Sequence, residues 1–151
     1  MRTILVAMFL IPAFAIAQPK ELKLSEEEQG VLDLTNAERK AAGLPALKVN
    51  PKLFAAARGH SENMAKQDKL EHVLDEKAPA DRVKAGGYNF RVCGENIAWN
   101  SPTPAEALRI WMESPGHKAN ILNKDFTEIG IAVAKSEKGE RYWTQVFGRP
   151  R

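Results

Sequence analysis

Polar segments that favour the start of a helix precede apolar positions at helical spacing along the first part of the chain. Ser25 and Glu28 form a capping-box pattern, in which each side chain bonds the free main-chain N–H of the other residue. A stripe of apolar residues follows, and Gly43 stands where a left-handed residue would end the helix. The stripe of this predicted first helix consists of Val31, Leu32, Leu34 and Ala37.

The same signals predict three further helices. Asn50 is a favourable N-cap residue, and Pro51 occupies the first helical position, where its missing N–H has no partner to lose. We expect helices from Pro51 to about Leu70, over Pro79–Ala85, and from Thr103 to Ser114, where Pro115 and Gly116 end the last helix.

Runs of β-branched and aromatic residues are concentrated in the second half of the chain. Residues 129–134 and 142–147 flank a turn at 136–139, which predicts a hairpin. An earlier apolar run, 91–100, contains Gly94, Glu95 and Asn96, and we interpret it as a strand with a functional interruption. Helices at the front, strands at the back and no βαβ alternation predict an α+β fold.

Residues 1–17 have the pattern of a secretory signal peptide. Arg2 is followed by an apolar stretch, and residues 15–17 form a small-x-small cleavage site. The alternative is a membrane anchor, but the stretch is shorter than the roughly 20 residues that a spanning helix needs. We therefore expect an exported protein, extracellular or periplasmic, without a transmembrane anchor. Cleavage after residue 17 of the 151 would leave 134 residues, with 18–30 as a polar lead-in and the start of the first helix.

Composition is typical of an ordinary globular domain and excludes several classes of protein. The chain is 44% hydrophobic and 27% charged, unlike disordered or collagen-like proteins. A single cysteine, Cys93, cannot form an internal disulfide. The formal net charge of +3 falls to +2 without Arg2, which is too little to indicate a nucleic-acid partner. We expect one domain and a monomer.

Three histidines and one cysteine are the first candidates for chemistry. His60 continues the stripe of the second helix, so we interpret it as a hydrogen-bonded core residue. His72 and His117 each follow a predicted helix, where the helix dipole favours a cation, and no HExxH spacing marks them as metal ligands. Cys93 could be a nucleophile with a histidine as base, but a cysteine in an apolar run is more typical of a small core residue.

Several segments, in the same order, resemble one family. GENIAW at residues 94–99, WMESPGHKANIL at 111–122, FTEIG at 126–130 and YWTQVFG at 142–148 resemble bacterial CAP (SCP) domains. This is the superfamily of cysteine-rich secretory, antigen 5 and pathogenesis-related proteins. Residues 32–47 resemble its first helix and the turn after it. The resemblance extends over residues 31–148, which we interpret as one CAP/SCP domain.

The resemblance implies a three-layer α-β-α sandwich, with a small antiparallel sheet between helical layers. It also implies a cleft with two histidines and two acidic residues. On the motifs of this sequence, the histidines are His117 and His72, rather than His60, and one acidic residue is Glu95. Ser114 occupies the position of the second acidic residue. The expected cleft residues are therefore His72, Glu95, Ser114 and His117.

Two chemical interpretations of this cleft stay open. In some family members the histidines hold a divalent metal, and two imidazoles, one carboxylate and water would suit Zn²⁺ or another divalent cation at His72 and His117. Without a metal, Glu95 would fix the imidazole tautomers by hydrogen bonding.

Three functions follow from these interpretations. We favour a cleft that binds a lipid, peptide or cell-envelope ligand without catalysing a reaction. The alternative enzyme is a zinc-assisted hydrolase or peptidase with Glu95 as the general base. In the third hypothesis the cluster only ties the sheet to the helical layers.

Overall fold

A computed structural model describes residues 22–151, so the predicted signal peptide and its cleavage site lie outside the described residues. Within 22–151, no helix combines the length and the apolarity needed to cross a lipid bilayer. The helices and strands of this part are, in chain order, α1 (Glu26–Ala41), β1 (Lys48–Val49), α2 (Pro51–Gln67), α3 (Pro79–Ala85), β2 (Phe90–Trp99), α4 (Pro104–Glu113), α5 (Pro115–Ile121), β3 (Glu128–Lys135) and β4 (Arg141–Pro150).

Helix α1 begins and ends where its capping signals predict. The Ser25 hydroxyl accepts a hydrogen bond from the Glu28 N–H, and the Glu28 carboxylate accepts one from the Ser25 N–H, which confirms the capping box. Gly43 has a φ of 73° just after the helix, a conformation that glycine adopts without steric cost. Three acidic residues in the first turn also favour this helix electrostatically.

Helix α2 begins as predicted and ends earlier than predicted. The Asn50 side chain accepts hydrogen bonds from the main-chain N–H groups of Lys52 and Leu53, so it caps a helix that starts at Pro51. The helix ends at Gln67, before the expected Leu70. Its end is set by Asp68, which adopts the left-handed conformation (φ 49°) that breaks the helical path.

Pro115 begins a new helix directly after the preceding one ends. Helix α4 ends at Glu113, Ser114 is extended (φ −93°, ψ 118°), and Pro115 is the first residue of α5. The expected end of the helix before Pro115 and Gly116 is confirmed, but the helix that starts at Pro115 was not predicted. Proline is tolerated in the first turn because the N–H that it lacks has no intrahelical partner there. His117 consequently lies in the first turn of α5.

The four strands form one mixed sheet in the order β1-β3-β4-β2. The pairs β2–β4 and β3–β4 are antiparallel, and the predicted hairpin of β3 and β4 is confirmed. The two residues of β1 pair in parallel with Glu128 and Ile129 of β3, so the expectation of a purely antiparallel sheet is wrong at this edge. A parallel pair needs a long crossover, which the four helices and β2 between these strands provide.

Strand β2 forms the other edge of the sheet and carries Glu95 near its centre. The expected interruption is wrong, because residues 94–96 pair in register with residues 145–147 of β4. Gly94 serves close packing here, since a Cβ atom at this position would lie 2.9 Å from the Phe126 ring. The strand is therefore a rigid support for the side chains on its two faces.

Helices cover both faces of the sheet, which confirms the three-layer α-β-α sandwich. Helix α2 packs closely on β3, because a Cβ atom at Gly130 would lie 2.1 Å from the Leu53 main chain. This close approach places the α2 side chains, His60 among them, directly against the sheet. The α2–α3 layer contributes Leu53, Ala57 and Val83 to the core, and the α1–α4–α5 layer contributes Val31, Trp111 and Ile121.

A buried arginine ties α1 to the end of α5. Arg39 is 1% exposed and donates hydrogen bonds of 2.7 to 3.3 Å to the main-chain oxygens of Pro45, Ile121, Asn123 and Phe126. Burial lowers the pKa of Arg39 below its ordinary value. Four carbonyl partners compensate the buried charge, and a cation at a helix C-terminus is electrostatically favourable.

Candidate functional site

Glu95 is the centre of a charged cluster on the α2–α3 face of the sheet. Its side chain is 1% exposed, and both carboxylate oxygens are engaged. Oε1 lies 2.9 Å from Nδ1 of His72, and Oε2 accepts a hydrogen bond of 2.7 Å from Nη2 of Arg82. Nε2 of His60 lies 3.7 Å from Oε1. Such partners are required, because a buried carboxylate without them is strongly destabilising.

Arg82 supplies the positive charge opposite Glu95, and the sequence analysis missed it. It lies on α3 and also donates hydrogen bonds to the main-chain oxygens of His72 (3.0 Å) and Lys77 (2.7 Å). Arg82 thus joins α3, the loop before it and β2. An arginine on a short predicted helix was visible in the sequence, but its partner was not, because the contact depends on how α3 packs against β2.

His72 presents an imidazole ring to the solvent. It lies in the loop between α2 and α3, and its side chain is 46% exposed. Glu95 holds Nδ1, and Arg82 holds the main-chain oxygen of the same residue. The ring is therefore fixed from two directions while its other nitrogen, Nε2, has no partner among the described hydrogen bonds.

The loop of His72 carries exposed apolar side chains. Leu70 (43% exposed), Val73 (52%) and Trp99 (47%) are the exposed large hydrophobic residues of the described part of the chain. Leu70 and Val73 are within two residues of His72 along the chain. Leu70 also lines a cavity of about 330 Å³ together with Trp99, and His72 is not part of its lining.

His60 is buried in the core, as expected, but without the expected hydrogen bond. It is 1% exposed, and neither ring nitrogen has a hydrogen-bond partner among the described residues. The nearest carboxylate oxygen, on Glu95, is already engaged by His72. Burial lowers the pKa of His60 below its ordinary value, although the charge of Glu95 opposes this effect. His60 is therefore neutral at neutral pH.

His117 lies near His72 but belongs to the other helical layer. Its side chain is half-buried in the first turn of α5, and Nδ1 is buried without a hydrogen-bond partner in the described structure. Burial lowers the pKa of His117, and the charge of His72 lowers it further, so the two rings lie within electrostatic reach. Ser114 precedes this helix and is half-buried; its hydroxyl takes part in none of the described hydrogen bonds.

Asn96 points to the opposite face from Glu95 and builds a neutral network that the sequence analysis also missed. Its amide donates to the main-chain oxygen of His117 and to Oε1 of Gln145, both at 3.1 Å. Asn120 donates to the Asn96 oxygen at 2.9 Å, and Gln145 donates to Thr35 at 2.8 Å. The network connects α5, the sheet and α1.

Cys93 does not have the environment of an activated nucleophile. It lies on β2 and is half-buried, less enclosed than the core residue that the sequence predicted. Burial raises the pKa of the thiol, and the charge of Glu95 adds to this effect, although Lys84 opposes it. The reactive thiolate is therefore disfavoured at neutral pH.

The cluster does not meet the usual ligand count of a zinc site. Catalytic zinc sites have three protein ligands and structural sites have four. Within residues 22–151, no group of three or more histidine, cysteine, aspartate or glutamate side chains has a geometry that could hold a metal ion. Both oxygens of Glu95 are engaged, one of them by a guanidinium group. His72 and His117 remain as two imidazoles without a third ligand.

Comparison with known proteins gives close relatives in bacteria. Residues 32–147 match the family model of CAP, the cysteine-rich secretory protein family. The YkwD protein of Bacillus subtilis is 38% identical over 125 residues, which cover 82% of this chain and 48% of YkwD. The present chain thus spans about half the length of this relative.

Solved structures share the fold. An extracellular protein with an SCP domain from Bacillus anthracis is 33% identical, with a TM-score of 0.75 over 82% of this chain and 40% of that one. An outer surface protein from Borrelia burgdorferi is 19% identical, with a TM-score of 0.80 over 89% of this chain and the whole of that one. A structure of NaASP2 with Zn²⁺ is 15% identical, with a TM-score of 0.61 over 82% and 80% of the two chains. The family model covers most of the described residues, and the chain therefore belongs to the CAP family of cysteine-rich secretory proteins.

Proposed function

We propose that this CAP protein is an exported module that binds an amphipathic ligand, a lipid or an apolar peptide of the cell envelope, without catalysing a reaction. The site is centred on His72, Glu95 and Arg82. The observation that carries the proposal is the exposed imidazole of His72, which is fixed on a buried ion pair and lies in a loop with the exposed apolar side chains of Leu70 and Val73.

Fixing the ring before binding favours affinity. A ligand that bonds Nε2 of His72 does not have to order the ring, because Glu95 holds Nδ1 and Arg82 holds the main chain. Pre-organised groups lose less conformational entropy on binding than mobile ones. A neutral imidazole can accept a hydrogen bond at Nε2, and a charged one can donate.

The apolar neighbours narrow the class of ligand. Exposed apolar groups that lie together on a folded domain mark contact sites. Trp99 offers a large apolar surface in the cavity that it shares with Leu70. Leu70 and Val73, on the loop of His72, are also exposed apolar side chains. A ligand that fits both features has a polar group beside an apolar one, as lipids and apolar peptides do.

Export of the protein is supported by two independent observations. Residues 1–17 have the pattern of a signal peptide. The relative from Bacillus anthracis is an extracellular protein, and the fold neighbour from Borrelia burgdorferi is an outer surface protein. A ligand outside the cytoplasm, such as an envelope component, agrees with both.

The arrangement favours binding over hydrolysis. A general base needs a carboxylate oxygen that can reach the proton it removes. The Glu95 side chain is 1% exposed, and its oxygens are already engaged by His72 and Arg82. No step of the proposed function uses a metal.

The proposal can be tested by NMR on isotope-labelled protein of residues 18–151. Short-chain phosphatidylcholine and soluble muropeptides serve as two separate probes. We expect at least one probe to shift the His72 ring and Trp99 indole signals, and to lose affinity for His72→Ala and Trp99→Ala. Lys40→Gln, a change of an exposed residue on α1, is the matched control and should bind normally. Unchanged signals with both probes, or equal binding by all variants, would contradict the proposal.

A metal arm of the same experiment separates the alternatives. The protein is titrated with Zn²⁺ in a calorimeter. We expect no stoichiometric binding of zinc through His72 and His117. One equivalent bound by the wild type and lost in His72→Ala/His117→Ala would favour the metal alternative.

A further inference from the structure

A second cleft lies where β2 begins and β4 ends, and it has a strongly cationic lining. Its volume is about 360 Å³, and it is lined by Lys84, Arg91, Arg151 and the uncharged segment 87–90. No aspartate or glutamate is among these residues, and none of them belongs to the cluster of His72 and Glu95. The three cations come from separate parts of the chain, which the fold brings together.

The backbone orients two of these cations. Two hydrogen bonds of 3.1 Å hold Arg151 against the cleft. Its main-chain N–H donates to the main-chain oxygen of Asn89, and its Nε donates to the main-chain oxygen of Phe90. Arg91 is the extra residue of a β-bulge, since Phe90 pairs with Pro150 and Val92 pairs with Arg149. Bulges re-aim side chains and are frequent beside functional sites.

Lys84 completes the cationic wall from the last turn of α3. Its ammonium lies 5.9 Å from the centre of the Phe90 ring, within the range of a cation–π contact. The cleft therefore combines one ammonium and two guanidinium groups. Guanidinium groups are suited to phosphate, because they offer parallel N–H donors to two oxygens.

The adjoining cleft contains one acidic and one basic side chain besides the residues that the two clefts share. The Glu128 carboxylate accepts a hydrogen bond of 2.5 Å from the Tyr88 hydroxyl, and Lys52 donates to the main-chain oxygen of Gly87. The charges of Glu128 and Lys52 balance, so the three cationic side chains of the first cleft leave a positive local charge.

Another cleft, lined by residues of α2 and β3, provides a contrast in charge. It is lined by Lys66 and Lys135 but also by Glu62 and Glu137, so its charges balance. The cleft of Lys84, Arg91 and Arg151 lacks such balance. We propose that it is an anion site that binds the phosphate group of a ligand, either a free phosphate ester or the headgroup of an anionic phospholipid.

The test compares two variants with the same change in net charge. Lys84→Gln/Arg91→Gln removes two cations from the cleft, and Lys66→Gln/Lys135→Gln removes two from the balanced one. The probes are glycerol 1-phosphate, inorganic phosphate, and vesicles of phosphatidylcholine with and without phosphatidylglycerol. Affinity is measured by calorimetry and vesicle sedimentation, and thermal unfolding checks that each variant is folded.

We expect the wild type and the Lys66→Gln/Lys135→Gln variant to bind alike. The Lys84→Gln/Arg91→Gln variant should bind about a hundredfold more weakly, because it loses two cations and each lost charge-assisted hydrogen bond is worth about one decade in affinity. Binding should also weaken as salt is raised. Binding only to vesicles with phosphatidylglycerol would identify the lipid headgroup as the source, and binding to glycerol 1-phosphate a free ester. Equal loss in both variants, or no binding of any probe, would overturn the proposal.

Discussion

Glu95 and Asn96 are neighbours on one strand, yet they belong to very different surroundings. Asn96 is fully buried in a network of neutral amides and one hydroxyl, and both polar atoms of its own side chain have hydrogen-bond partners. Glu95 faces an arginine and two histidines, and buried ring nitrogens on His60 have no partner there. One side of β2 is neutral and closed, and the other is ionisable and open at His72.

The difference separates a structural role from a binding role. The neutral network holds α5, the sheet and α1 together, and the side chain of Asn96 has no polar atom left for a ligand. The charged cluster is tied down at Glu95 and Arg82 but keeps an exposed ring. Substitutions on the two sides should therefore affect stability and binding in different proportions.

The largest loss of stability is expected from Asn96→Asp. The substitution puts a carboxylate at a fully buried position, opposite the carbonyl oxygen of Gln145. An uncompensated buried charge should cost about 3–5 kcal/mol of the free energy of unfolding. Urea unfolding at neutral pH measures it, with Asn100→Asp at an exposed position as the control. A cost below about 1 kcal/mol would show that the neutral network is not a structural tie.

A smaller loss is expected from Glu95→Gln. The amide keeps one acceptor but leaves the charge of Arg82 unpaired, and the Arg82 side chain is 13% exposed. We expect a cost of about 2–4 kcal/mol. In a double-mutant cycle with Arg82→Gln, the double variant should lose less than the sum of the two single variants. Strict additivity would contradict the coupling between these residues.

Stability should also depend on pH through the buried histidines. Burial lowers the pKa of His60 and His117 in the folded state below 6.5, so the unfolded chain takes up protons first as the pH falls. The folded state therefore loses stability below about pH 6.5, by up to about 1.4 kcal/mol per pH unit for the buried His60 and by less for the half-buried His117, and regains it above. Unfolding measured from pH 7 to 5 should show a shallower loss in His60→Gln. An identical slope would contradict the assignment to His60.

The smallest effect on stability is expected from His72→Ala. Its ring is 46% exposed, and ion pairs with exposed partners contribute about 1 kcal/mol or less. Thermal unfolding should place this variant close to the wild type and well above Glu95→Gln. A loss as large as that of Glu95→Gln would mean that His72 is part of the structural support.

Local signals in the sequence were sufficient for most helix boundaries and for the hairpin. Ser25 with Glu28, and Asn50 with Pro51, act within one turn of chain, so their effect does not depend on the rest of the fold. Pro115 was ambiguous because the same residue can follow one helix or begin the next. The parallel pairing of β1 involves only two residues, too few to leave a pattern.

The site was only partly predictable. The family resemblance implied that Glu95 and His72 meet, and the structure places their side chains 2.9 Å apart. Arg82 and the neighbouring His60 could not be identified, because their contacts depend on the packing of α3 and α2 against the edge strand. The roles of Arg82 and His60 can be recognised only when the folded sheet shows that Glu95 lies beside them.

We infer that the exposed ring of His72 binds a ligand and contributes little to the fold. The most direct test is the affinity of wild type and His72→Ala for whichever of short-chain phosphatidylcholine and muropeptide binds the wild type. We expect about tenfold weaker binding by His72→Ala, since a hydrogen bond to the ligand is lost, at nearly unchanged thermal stability. Equal affinity of the two proteins would contradict it.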